Sequence, residues 1–250
     1  MKETMLHPYF PYKEPLKMDD IICSSIQILQ ALKPWLTEQR ANRIEQVIEG
    51  RTYTITPVLD GLYDIGNINA VLRTSEALGF QSVHVIETSV RYREANRVAQ
   101  GAEKWLDIFR WKNTTDCISY LKNRKYKIYT TTFDSARPIQ EIDFLEPTAI
   151  VFGNEHQGVS KEIINEADER VFIPMYGFTQ SFNISVAAAI TLYHAFSMRT
   201  TKLKANGDLY ENEKQILKAI FYFKSLPNAK HILTHELKRQ NKKEPINDVE

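Results

Sequence analysis

The chain has 250 residues, 43% hydrophobic and 25% charged, with a formal net charge of +1 at pH 7. That balance belongs to an ordinary globular protein large enough to bury a real core, with one main domain and appendages. The two cysteines, Cys23 and Cys117, stand far apart without CxxC or His-rich company; no disulfide framework or zinc site is suggested, and a reducing cytoplasm is the expected setting.

Residues 1–16 are rich in Pro, Tyr and charge and lack the apolar stretch of a secretory signal. Helical spacing predicts helices over 19–36 and 37–49, with Ile21, Ile22, Ile26, Leu29 and Leu32 on one stripe and Ile44, Val47 and Ile48 on another. β-Branched, aromatic or alternating runs then predict strands at 53–59, 82–87, 126–133, 148–152 and 170–173. Helical stretches at 69–78, 114–123, 161–167 and 185–198 separate them. Such alternation predicts an α/β fold with a parallel sheet flanked by helices. Past Lys202 the chain turns polar, and two further helices, 211–223 and 229–240, are predicted on either side of Leu226-Pro227-Asn228. The longest nearly uncharged apolar stretch, 185–198, is shorter than the roughly 20 residues that span a bilayer, so no membrane span is expected.

Charge is unevenly spread. From Arg91 to Lys127 ten Lys/Arg face four acids, and from there to Phe172 the balance reverses to three against nine. Clustered cations attract nucleic acid even when the total charge is near zero; a plain solvated surface is the alternative. No GxxxxGK[ST], strand-to-helix GxGxxG, HExxH, GxSxG or DxDxDG segment is present, which argues against P-loop, dinucleotide, zincin, serine-hydrolase and EF-hand chemistry. A lone histidine in a strand, His84, reads as core rather than ligand.

Three segments place small and hydrogen-bonding residues where a strand gives way to a loop and helix, a usual place to hold a ligand. They are Asn67-Ile-Asn-Ala-Val-Leu-Arg-Thr74, Phe152-Gly-Asn-Glu-His-Gln-Gly158 and Ile173-Pro-Met-Tyr-Gly-Phe-Thr-Gln-Ser-Phe-Asn-Ile-Ser-Val-Ala-Ala-Ala189. In that order they resemble the TrmH-like branch of the SPOUT superfamily, RNA 2′-O-ribose methyltransferases that use S-adenosylmethionine. The resemblance runs from about Thr52 to Arg199. It implies a SPOUT-type sheet with a C-terminal deep trefoil knot over 52–199, helical extensions at 1–51 and 200–250, and a homodimer with the cofactor beside the interface.

The resemblance also implies site residues. Arg73 corresponds to the arginine on which the family's activity depends; a guanidinium stays protonated at pH 7, so it reads more naturally as a phosphate clamp and stabiliser of a developing alkoxide than as a base. Asn67, Glu155, Ser181 and Asn183 fall on active-site positions, although Asn67 and Asn183 equally suit helix caps. Cofactor contacts map to Thr131, Gly153, Ile173 and Phe182. Basic RNA-binding positions map to Arg43, Lys104 and Arg199, while Ser197 stands where some relatives carry another arginine. Phe182 replaces a more usual leucine, and Asn69 a more usual small residue.

Ribosomal-RNA members of this branch often carry a separate N-terminal RNA-binding α/β domain, which the helical segment before Thr52 does not match. The short extensions look more like the tRNA enzymes that methylate guanosine 18 of the D-loop. An rRNA methyltransferase, a catalytically silent RNA-binding protein of the same fold and a base methyltransferase are the alternatives.

Overall fold

In a computed structural model, which describes residues 6–87, 101–132, 136–154 and 157–241, the chain divides into two compact units. One comprises Gly50–Asp208, the other both terminal segments, Met1–Glu49 and Leu209–Glu250.

The terminal unit opens with a hairpin of β1 (Leu16–Met18) and β2 (Ile21–Cys23), followed by α1 (Ser25–Leu32) and α2 (Glu38–Glu49). This differs from the single helix predicted over 19–36. Asp19 takes a left-handed φ of 56°, which turns the chain back after Met18 and commits Ile21 and Ile22 to a strand. Ser24 and Gln27 then form a reciprocal capping box that starts α1 at Ser25. Ile22 and Ile26, expected on a buried stripe, are exposed, and Ile28 and Leu32 fill the core instead. Helices α7 (Glu211–Ser225) and α8 (Ala229–Asn241) pack on α1, and α7 also meets α2. The buried Glu213 carboxylate accepts from the His7 backbone N at 2.6 Å, His7 Nδ1 at 2.8 Å and Tyr210 N at 2.9 Å, which ties the first residues to α7.

The larger unit is built on β3 (Ile55–Asp60), β4 (Ser82–Ile86), β5 (Asp107–Trp111), β6 (Lys127–Thr131), β7 (Arg137–Pro138), β8 (Thr148–Gly153) and β9 (Glu169–Phe172). They form one seven-stranded sheet in the order β5-β4-β3-β8-β6-β9-β7 with every pairing parallel. Central β3 and β8 are buried at every position, the expected state of parallel strands covered on both faces. Helices α3 (Ile65–Ala77) and α6 (Ile184–Leu203) pack on each other and bring Val71, Leu72, Ala188 and Leu192 onto Ile55, Leu59 and Phe152. Helices α4 (Thr114–Asn123) and α5 (Lys161–Glu166) pack together and against β6. Among the described residues no helix is long and apolar enough to cross a membrane.

Strand β5 escaped the sequence reading because its Asp-Ile-Phe-Arg-Trp run sits inside the basic block and pairs on one side only. His84 is core, as its strand context suggests: it is 1% exposed, stacks on Phe109 at 4.8 Å and accepts at Nδ1 from Trp111 Nε1 at 2.9 Å. Burial, aided by the nearby Arg124 charge, lowers its pKa from 6.5 to about 3.

Candidate active site

Parallel strands end together, and loops leaving their carboxyl ends enclose the crevices of such folds. Here a cavity of about 390 Å³ opens at the ends of β6, β8 and β9 and is closed by the first turns of α6. Its size lies within the several-hundred-Å³ range of small-molecule sites.

Four cofactor positions expected from the sequence, Thr131, Gly153, Ile173 and Phe182, line this one cavity, and so does Ser181. Gly153 is required by a close backbone approach: a Cβ there would stand 2.1 Å from the Gly158 carbonyl carbon and 2.2 Å from Val159 N. The loop is drawn that tight because Asn154 and Gly158 exchange backbone hydrogen bonds of 3.0 and 3.1 Å, while Asn154 Oδ1 accepts from Gln157 N at 2.7 Å. Gly158 completes the turn at φ +70°, a region open to glycine. Thr131 donates its hydroxyl to the Val151 carbonyl at 2.9 Å, which fastens β6 to β8 at the cavity edge.

Asn183 is the N-cap of α6, accepting from Ser185 N at 2.9 Å and Ser185 Oγ at 2.6 Å. Ser181 and Phe182, just before it, are exposed at the mouth. Asn67 departs from its expected place: it lies within the first turn of α3 and is 9% exposed, and the cap is Asp64, which accepts from Gly66 N at 2.7 Å. Arg73 projects from the exposed side of α3 with no hydrogen-bond or ion-pair partner among the described residues, and neither it nor Asn67 lines the cavity. Glu155 lies outside the described residues, as do Arg91, Arg93 and Arg97 of the basic block.

Of the RNA-facing candidates, Arg43 on α2 and Lys104 are exposed, with Lys104 Nζ 5.2 Å from the Trp105 ring centroid. Arg199 is a correction. It is 0% exposed, pairs through Nη2 with Asp208 at 2.7 Å and donates through Nη1 to the Phe144 carbonyl at 3.2 Å. Its charge is spent inside the fold and presents nothing to RNA.

Cavity residues that the motifs did not single out include Ile139, Val159 and Thr191. The last was legible in principle, since Ile184, Ala187 and Thr191 follow each other at helical spacing along one face of α6. A second cavity, of about 360 Å³, lies at the ends of β3 and β4; Asp60, Glu87, Lys112 and Asn113 are on its wall, and Asn154, Gln157 and Gly158 border both cavities.

The SpoU rRNA Methylase family profile matches residues 54–193. A curated relative from Borreliella burgdorferi, a tRNA (guanosine(18)-2′-O)-methyltransferase, is 36% identical over 216 residues, covering 86% of this chain and 97% of its own length. The crystal structure of the Aquifex aeolicus TrmH/SpoU tRNA modifying enzyme superposes with a TM-score of 0.70 at 32% identity, covering 76% of this chain and 98% of that one. The SpoU methyltransferase AviRb from Streptomyces viridochromogenes, solved in complex with AdoMet, gives a TM-score of 0.54 at 25% identity over 61% of this chain and 59% of its own.

Proposed function

The chain belongs to the SpoU methylase family, and we propose that it transfers a methyl group from S-adenosylmethionine to the ribose 2′-hydroxyl of guanosine 18 in the tRNA D-loop. The observation that carries this is the gathering of Gly153, Ile173, Ser181 and Phe182, from two separate motifs, around one cavity at the ends of parallel strands. Relatives named for that reaction are matched nearly end to end, which favours tRNA over rRNA.

The cavity suits the cofactor. Its apolar wall of Ile139, Val171, Ile173 and Phe182 fits an adenosyl group, and the Gly153 approach keeps the loop backbone at its edge. When bound, S-adenosylmethionine supplies an electrophilic methyl carried on a positively charged sulfur. The residues of the chain then have two tasks: to align the 2′-oxygen for in-line attack and to stabilise it as its proton leaves. Arg73 is assigned the second, as a protonated guanidinium clamping the adjacent phosphate and the developing alkoxide. Ser181, on the cavity wall, and Asn183, the cap of α6, are assigned to the ribose, and Asn67 and Glu155 complete the proposed active site; Arg43 and Lys104 are proposed to bind RNA phosphates.

Arg73 lies outside its own chain's cavity, and a second copy accounts for that. Tyr176, Phe178, Val186, Ile190 and Tyr193 are exposed apolar side chains around the start of α6, between 36% and 109% exposed; surface of that kind is usually covered by a partner. We therefore propose a homodimer through this face, in which the site is completed by residues of both copies. The loop 173–183 is proposed to be the threaded part of a deep trefoil knot within a methyltransferase domain of residues 52–199, acting in the cytoplasm, with 1–51 and 200–250 as extensions.

The test is incubation of purified protein with labelled S-adenosylmethionine and either total tRNA or rRNA, followed by digestion to nucleosides. Label in 2′-O-methylguanosine from tRNA is expected. Label from rRNA alone, label on a base, or none would overturn the proposal.

A further inference from the structure

Helical threonines ordinarily give their hydroxyl to the carbonyl four residues back, which satisfies the group locally. This chain follows the habit: Thr74 donates to Ala70 at 2.9 Å, Thr200 to Phe196 at 2.9 Å, Thr201 to Ser197 at 2.8 Å and Thr234 to Lys230 at 2.8 Å. Thr191 in α6 does not. It is 0% exposed, its Oγ1 has no hydrogen-bond partner among the described residues, and it lines the cavity proposed to hold the cofactor. A hydroxyl sealed from water without a partner is disfavoured, so one that persists on a cavity wall marks a place where a ligand completes the bond.

The wall itself identifies which part of the ligand. Ile139, Val171, Ile184 and Ala187 share the cavity wall with Thr191, polar groups come from Thr131, Thr132, Asn154, Gln157 and Ser181, and none of the described lining residues is charged. S-adenosylmethionine carries an ammonium and a carboxylate at one end and an uncharged purine and ribose at the other. A wall without a charged side chain, apolar along Ile139, Val171, Ile184 and Ala187, favours the second over the first. We infer that the Thr191 hydroxyl binds the adenosyl moiety of the cofactor by a hydrogen bond, making Thr191 a binding residue that the three sequence motifs do not include. The inference rests on the cofactor assignment made above.

Thr191→Val keeps the shape and removes the hydroxyl, and Thr191→Ser keeps the hydroxyl. Calorimetric titrations of both variants and the wild type use S-adenosylhomocysteine and 5′-methylthioadenosine, which lacks the amino-acid end. Thr191→Val is expected to bind both ligands about fivefold more weakly, the worth of one net hydrogen bond, while Thr191→Ser stays within about twofold of the wild type. Without ligand, Thr191→Val is expected to melt no lower than the wild type, because it relieves an unpaired buried group. Undiminished affinity for both ligands overturns the inference, and so does a loss confined to S-adenosylhomocysteine, which would put the hydroxyl against the amino-acid end. A marked drop in ligand-free melting temperature also overturns it, since the hydroxyl would then have its partner within the protein. Failure of the wild type to bind either ligand would instead overturn the cofactor assignment itself.

Discussion

Arg73 leaves α3 into solvent without an ion-pair partner among the described residues, whereas Arg199 is fully enclosed and held by Asp208 and the Phe144 carbonyl. Two residues of one type therefore face opposite tests. Arg73→Ala is expected to lower methyl transfer by at least 10²-fold, the scale of one lost transition-state donor, while S-adenosylmethionine affinity measured by calorimetry stays within about twofold. A parallel loss of cofactor binding would contradict its assignment to the RNA side. Arg199→Ala leaves the Asp208 carboxylate without its buried cation and is expected to destabilise the fold by about 3 kcal/mol in urea unfolding. Arg199 was assigned to RNA from the resemblance, and its partner Asp208 lies beyond the end of α6, at a separation no helical spacing would pair. Gly153 was legible as a special position, but its reason, the approach of the Gly158 backbone, needs the folded loop.

At the scale of elements, the strands most visible in the sequence were those buried on both faces, β3 and β8, where continuous β-branched and apolar runs leave little ambiguity. Helix α4 has the bounds its spacing predicts, 114–123, and Asn113 fixes its start, accepting from Asp116 N at 2.8 Å. The hairpin β1–β2 was not, since three-residue strands carry too little pattern and their isoleucines mimic a helical stripe. The pairing of β4 with the edge strand β5 has a pH consequence. His84, enclosed between Phe109 and Trp111, stays neutral in the folded protein down to about pH 3, whereas in the unfolded chain it protonates near 6.5. Its folded pKa is depressed, so the unfolded state alone takes up this proton as pH falls through that window. The stability associated with neutral His84 is complete above pH 6.5 and declines by about 1.4 kcal/mol per pH unit below it. Urea unfolding between pH 7 and 4.5 is expected to show a shallower decline in His84→Gln than in the wild type; equal slopes would show that His84 protonates in the folded state.

For the whole molecule, the fold class was readable from the alternation of strand and helix patterns, and two of the three motifs, 152–158 and 173–189, contribute residues to one cavity, while the first lies within α3. What the alternation leaves open is strand order, because β8 inserts between β3 and β6 rather than beside β7 or β9. The exposed apolar face of α6 was hidden for another reason: 185–198 is a nearly uncharged apolar stretch, and only the packed core, which takes Ala188, Leu192 and Ala195, shows that Val186, Ile190 and Tyr193 are left uncovered. Placing Asp at both Ile190 and Tyr193 is expected to convert a dimer to monomers in sedimentation velocity and to abolish methyl transfer, with each chain still folded by circular dichroism. A wild-type monomer that retains activity would remove the need for a second copy.

Ribose methylation blocks alkaline cleavage of the phosphodiester on its 3′ side, so the acceptor atom and the nucleotide are read in one experiment. Unmodified tRNA transcripts treated with the wild-type protein and S-adenosylmethionine are expected to lose one band of the alkaline ladder, at guanosine 18, and to keep it when Arg73 is alanine or the cofactor is omitted. An unbroken ladder despite methyl incorporation, or protection at another nucleotide, would contradict 2′-O-methylation of guanosine 18 by this cavity and its arginine.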